Sequence, residues 1–159
     1  MIDQSRRRFF TRKALDKEVA RLPWVANLAT FTELCTRCNK CIDSCENNII
    51  VAGDGGFPLV NFNIDECTFC YRCAEICPEP IFKGMDEKPW TAKAKINDSC
   101  LAYKNVECRS CGDLCEPMAI TFSLQAGGVA KPKIKLSDCT GCGACVSVCP
   151  TSSINVINT

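Results

Sequence analysis

A chain of 159 residues has room for one domain or two small ones. Its sixteen cysteines, about a tenth of all residues, leave two common explanations: a disulfide scaffold in a secreted protein, or thiolate ligands for metal in a reducing compartment. The formal net charge of +1 hides an asymmetry, because residues 1–21 carry seven Lys and Arg against three Asp and Glu, leaving twelve against fifteen for the rest. A body with a negative balance argues against nucleic-acid binding, whereas a basic arm on it suits docking to a partner protein.

The arm comes first in chain order. Ser5-Arg6-Arg7-Arg8-Phe9-Phe10 has the look of a twin-arginine export signal. Such a signal continues into an uninterrupted apolar stretch and a small-residue cleavage site, but here Arg12, Lys13, Asp16, Lys17, Glu18 and Arg21 follow. Leu22 to Thr32 is uncharged yet contains Pro23 and Asn27 and has no such site. Residues 1–30 are therefore read as a basic arm and not as a cleaved signal, which places the chain in the cytoplasm. Arg6, Arg7, Arg8, Arg12 and Lys13, with Phe9 and Phe10 as apolar anchors, are the candidate docking residues for an acidic partner surface; the bland alternative is a solvated tail.

Four cysteine segments follow. The first is Cys35-Cys38-Cys41-Cys45, then "ENNII"; the second, introduced by the extended "LVNFNIDEC", is Cys67-Cys70-Cys73-Cys77, then "PEPIF". The third is irregular, with Cys100 standing apart from Cys108-Cys111-Cys115, and "EPMAI" after it. The fourth, introduced by "KPKIKLSDC", is Cys139-Cys142-Cys145-Cys149, then "PTSSI". An apolar residue returns four or five positions after each last cysteine, so each repeat reads as strand, ligand loop, a helical turn or two, and connection. The first two segments start 32 residues apart and Cys108 precedes Cys139 by 31, whereas Cys67 and Cys108 are 41 apart. That grouping predicts two modules, residues 31–85 and 99–159, joined by a charged linker, 86–98. Neither module holds enough aliphatic residues for a large core, so metal is expected to supply much of it. Trp24 and Trp90 are expected to pack over the modules. From Cys139 to Thr159 no residue is charged, but four cysteines, Pro150 and several Ser, Thr and Asn make this a metal-binding repeat and strand; no membrane insertion is expected.

Three cysteines at i, i+3 and i+6 let a tight loop wrap one iron–sulfur cluster, and the fourth, at i+10, points elsewhere; in runs of this kind it serves the other cluster of a pair. Structural zinc prefers separated cysteine pairs, often with histidine, and this chain has no histidine. The absence of an export signal weighs against disulfides in the same way. Sixteen thiolates on four cubanes would add about two negative charges per site. Asp43, Asp65, Glu66, Asp113 and Asp138 lie beside the cysteines and are read as solvated loop charges.

These runs, with Cys77-Pro78 and Cys149-Pro150, resemble the bacterial two-[4Fe–4S] ferredoxins. "SRRRFFTRK", "CTRCNKCIDSCENNII", "CTFCYRCAEICPE", "CLAYKNVECRSCGDLCEPMAI" and "CTGCGACVSVCP", in that order, resemble more narrowly the NapF-type ferredoxins of periplasmic nitrate reductase systems. The resemblance implies a small, loop-rich α+β fold of two tandem dicluster modules with pseudo-twofold repeats, and up to four [4Fe–4S] clusters. It further implies a ligand scheme: Cys35, Cys38, Cys41 and Cys77 for one cluster and Cys67, Cys70, Cys73 and Cys45 for its mate. In the second module Cys139, Cys142, Cys145 and Cys115 hold one cluster, and Cys108, Cys111 and Cys149 the other, with Cys100 as candidate fourth ligand. The alternative is a three-iron or absent cluster beside a free Cys100, leaving three cubanes. Cys45 and Cys115 depart from the family in being followed by Glu46 and Glu116 rather than proline.

Neither a G-x-G-x-x-G nor a P-loop is present, so the expected role is that of an electron carrier or accessory protein and not an enzyme. The resemblance names the partner as the catalytic subunit of periplasmic nitrate reductase, met in the cytoplasm and assisted in its maturation before export. Two other readings stand beside it: an electron-conducting subunit of a membrane-bound oxidoreductase, and a chaperone-like binding module with structural clusters.

Overall fold

The computed structural model describes residues 20–158. Its regular elements are short because the chain turns at every ligand run. Helix α1, Leu28–Leu34, starts where the Asn27 side chain accepts a hydrogen bond from the Thr30 N–H (2.8 Å) and buries Phe31. After it come the one-turn helix α2 (Lys40–Asp43), strand β1 (Ile50–Ala52), a 3-10 turn (Asp54–Gly56), strand β2 (Pro58–Val60) and the one-turn helix α3 (Arg72–Glu75). β1 and β2 pair antiparallel with Ile50 opposite Val60. An isolated antiparallel bridge, Val25 to Phe82, ties the beginning of this half to its end.

The second half repeats the plan with longer strands. Strand β3 (Lys93–Ile96) is followed by a 3-10 turn (Ala102–Lys104), helix α4 (Ser110–Asp113), strands β4 (Ile120–Gln125) and β5 (Gly128–Ile134), helix α5 (Ala144–Ser147) and strand β6 (Ile154–Ile157). β4 and β5 form the hairpin, with Ile120 opposite Ile134; β3 pairs antiparallel with β6, with Ala94 opposite Val156. The β3–β6 pair stands where the Val25–Phe82 bridge stands in the first half. On β6 the buried Ile154 and Val156 alternate with the exposed Asn155, the period-two pattern of a strand with one face on the core.

Two boundaries differ from the sequence reading. Residues 93–96, expected within a linker, are a strand of the second half, because Ala94 and Ile96 offer apolar side chains to β6 at strand spacing. Of the expected arm, the described residues 20–30 are not a free tail: Ala20, Leu22 and Trp24 are buried, since their apolar side chains cover the first half. Two-stranded sheets are marginal on their own. What holds these three together is a continuous core running through both halves, from Leu22, Ile50, Val60 and Phe62 to Ala92, Ala94, Ile120, Val146 and Ile154, with Cys73, Cys111 and Cys145 among its members.

Candidate metal centres

The three regular runs share one backbone form. Arg37 and Asn39 flank Cys38, Phe69 and Tyr71 flank Cys70, and Gly141 and Gly143 flank Cys142; all six have positive φ, between 55° and 89°. Left-handed residues on both sides of the middle cysteine curl the loop so that its thiols face a common centre, and only in the fourth segment are both positions glycine. Holding Phe69 and Tyr71 there is costly for bulky residues, the kind of strain that persists where the surroundings over-determine it. The third cysteine of each run then lies in a one-turn helix: Cys41 in α2, Cys73 in α3, Cys145 in α5, and correspondingly Cys111 in α4. After the last cysteine of three segments the chain turns at a positive-φ residue, Asn48, Met118 or Ser152, whose N–H donates back to the carbonyl of Cys45, Cys115 or Cys149.

These loops bring the thiols together across segments. One cavity is lined by Cys35, Cys38, Cys41 and Cys77, under Leu22, Phe31 and Ile81. A second is lined by Cys45, Cys67, Cys70 and Cys73, under Trp24 and Phe69. Each first-half cavity therefore takes three cysteines from one run and the fourth from the other. In the second half Cys111 is close enough to Cys100, Cys108 and Cys149 to feel their charge, and Cys145 likewise to Cys142 and Cys139. Cys115, half-buried, packs against the same core. Among the described residues no group of three or more His, Cys, Asp or Glu side chains is arranged to hold a single metal ion; the first-half thiols instead surround voids.

Cys100 reaches this position through the irregular third segment. Seven residues separate it from Cys108 where the other runs have two. They fold into the Ala102–Lys104 turn, with Ala102 buried and the Tyr103 hydroxyl donating to the Pro132 carbonyl on β5 (3.3 Å). The excursion is thus fastened to the hairpin, and Cys100 is buried beside Cys111.

The electrostatics suit a cationic core. Burial, and then the neighbouring cysteines, push the Cys73 and Cys145 thiols up to about 12 and those of Cys67 and Cys111 up to about 11, as they do that of Cys41. Thiols that resist ionisation chiefly because they are buried become thiolates when iron supplies the missing positive charge. Thiols drawn together in fours around a void, with a buried member in most groups, fit iron–sulfur clusters.

Hydrogen bonds to sulfur were not legible as residues. The Ala119 N–H donates to Cys115 Sγ (3.2 Å), the Ser153 N–H to Cys149 Sγ (3.2 Å) and the Ala94 N–H to Cys139 Sγ (3.5 Å). Ser153 is almost fully buried, and its hydroxyl lies 3.1 Å from Cys149 Sγ. Its sole signal in the sequence was a polar residue where the other segments place Ile49, Ile81 and Ala119. Burial pushes the Cys149 thiol up, but the Ser153 and Thr151 hydrogen bonds outweigh it and hold the thiol below its usual value. The ammonium of Lys93 donates to the Cys139 carbonyl. Asp43, Asp65, Glu66, Asp113 and Asp138, expected as solvated charges, are all exposed except Glu66, which is half-buried. The candidate docking residues Arg6, Arg7, Arg8, Phe9, Phe10, Arg12 and Lys13 lie outside the described residues.

Paired runs, crossed thiol groups and a fold repeated in two halves define a tandem dicluster iron–sulfur protein. The family model for the 4Fe-4S dicluster domain matches twice, over residues 34–81 and 106–153, the second match beginning after Cys100. The chain is 47% identical over 156 residues to the ferredoxin-type protein NapF of Escherichia coli, covering 96% of this chain and 94% of that one. It is 48% identical to NapF of Haemophilus influenzae, over 86% and 77% of the two chains. The ferredoxin-type protein NapG of Escherichia coli is 26% identical, over 81% and 65%. No solved structure gives a significant match. The chain belongs to the NapF family of ferredoxin-type proteins. Two dicluster domains and sixteen cysteines give it four [4Fe–4S] clusters. Among the described residues no helix is long and apolar enough to cross a membrane.

Proposed function

We propose that the protein is a cytoplasmic electron carrier and accessory protein that assists maturation of the catalytic subunit of a periplasmic nitrate reductase before its export. One observation carries the reading: the first-half cavities are each bounded by four thiols drawn crosswise from two runs. That arrangement suits paired redox centres. Membership of the NapF family supports the partner.

The ligand scheme follows the same crossing. Cys35, Cys38, Cys41 and Cys77 hold one cluster, and Cys45, Cys67, Cys70 and Cys73 its mate. Cys100, Cys108, Cys111 and Cys149 hold the third, and Cys115, Cys139, Cys142 and Cys145 the fourth. The repeated order of strand pair, ligand loop and one-turn helix in the two halves supports two ferredoxin-like modules, each with pseudo-twofold repeats. Each cluster, when bound, takes up or gives up one electron at a time. The protein's part is to exclude water with Phe31, Ile81 and Trp24, to hold the loops in their left-handed turns, and to set the charge at sulfur through N–H and hydroxyl donors.

The test is affinity capture of the tagged protein from separated cytoplasmic and periplasmic fractions. The proposal expects the unexported nitrate reductase subunit in the cytoplasmic capture and none of the mature enzyme from the periplasm. Stoichiometric recovery with a membrane complex would contradict it. Full rescue of nitrate reductase activity by variants lacking clusters would show that binding alone is the function.

A further inference from the structure

The two halves meet along an aromatic seam. Tyr71 stands edge-to-face on Trp24 (ring centroids 5.0 Å apart), Trp24 on Phe69 (6.2 Å), Phe69 on Trp90 (5.6 Å), and Trp90 on Phe62 (6.0 Å). Trp90 lies on the segment entering β3, so its ring is driven between two aromatic residues of the first half. Its indole N–H donates to the Thr140 carbonyl (2.9 Å), inside the fourth ligand run. Two glycines of that run admit close neighbours, one from each side of the seam. A Cβ on Gly143 would overlap the Phe62 ring, and one on Gly141 would overlap the Ala92 carbonyl. Trp24 closes the seam from the far end, donating its indole N–H to the Glu87 carbonyl (3.0 Å) and its backbone N–H to that of Pro89.

The seam has one chemical consequence. The Cys67 N–H donates to the Cys142 carbonyl (2.8 Å), so a cysteine of the first half is joined to a cysteine of the second by a direct backbone hydrogen bond. In the first half the crossed cysteines already link the two thiol groups. We propose that the seam of Phe62, Phe69, Trp24 and Trp90 fixes the two modules as one unit and makes the Cys67–Cys142 contact the crossing point for electrons between them, so that the four centres form a single path. With clusters bound, one electron would cross at a time, oxidising the centre it leaves and reducing the one it enters, with no bond or proton changing place. The inference rests on the ligand assignments above for Cys67 and Cys142.

The test is electron paramagnetic resonance of the fully reduced protein, with Phe62→Ala and Trp90→Ala combined. At unchanged iron content, the variant should lose the part of the magnetic interaction that joins the halves and keep that within each half. A spectrum identical to the wild type would overturn the proposal. Should that variant lose iron, a site-specific protease sequence placed after the exposed Met85 gives the second measurement. The cut wild-type chain should elute in size exclusion as one particle carrying all its iron; separation into two iron-containing halves would overturn the proposal. Failure of the ligand scheme would look different, as iron loss from each half on its own.

Discussion

Ser153 shows how one side chain is fitted to this chemistry. A buried hydroxyl with no partner costs free energy, and here its partner is Cys149 Sγ, 3.1 Å away. A hydroxyl donating to a ligand sulfur favours the reduced, more negative state of its cluster. Ser153→Ala should lower the potential of one cluster of the four, by roughly 40 mV if the hydrogen bond differs between oxidation states by about 1 kcal/mol. Redox-titrated paramagnetic resonance reads this directly, with iron content unchanged; an unshifted set of potentials would remove Ser153 from the tuning groups. Cys100 is the second residue to test. Because it is buried beside Cys111 and held by a turn fastened to β5, Cys100→Ser should lower bound iron by about one to four atoms per chain or produce a three-iron signal. Unchanged cubane content would make Cys100 a packing residue.

At the scale of elements, the strands and one-turn helices are weak alone and depend on what they flank. Ile154 on β6 is buried against the core through the pairing of β6 with β3. Ile154→Ala should cost about 2–5 kcal/mol, read as a lower denaturant midpoint for loss of the iron–sulfur absorbance; a change within error would mean that the pair contributes little. The repeat, the spacing of the ligand runs and their division into two modules were legible in the cysteine arithmetic alone. Strand β3 was not, because "TAKAKIND" carries as many charges as a linker and reveals its alternation only opposite β6. The Arg37, Phe69 and Tyr71 turns were also hidden, since nothing local marks a bulky residue for positive φ. The aromatic seam was hidden for another reason: Trp24, the Phe62–Phe69 stretch and Trp90 are distant in sequence, and only the packed halves reveal that they share a surface.

For the whole molecule, the core and the metal centres occupy the same space. Cys73, Cys111 and Cys145 are core residues, and their burial favours the protonated thiol when iron is absent. Removing iron with a strong chelator should therefore collapse the tertiary structure of both halves together, seen as parallel loss of near-ultraviolet circular dichroism and of protease resistance. Retention of one intact half would contradict a shared core. The continuity of that core across the seam is also why the two modules are expected to act as one carrier.

Crossed ligation of four clusters by sixteen cysteines is the central claim, and it is tested most directly by anaerobic purification followed by iron and sulfide analysis with redox-titrated electron paramagnetic resonance. The account predicts about sixteen iron atoms and as many sulfides per chain, with only cubane signals in the reduced protein. About twelve iron atoms, a persistent three-iron signal, or zinc in place of iron would contradict it.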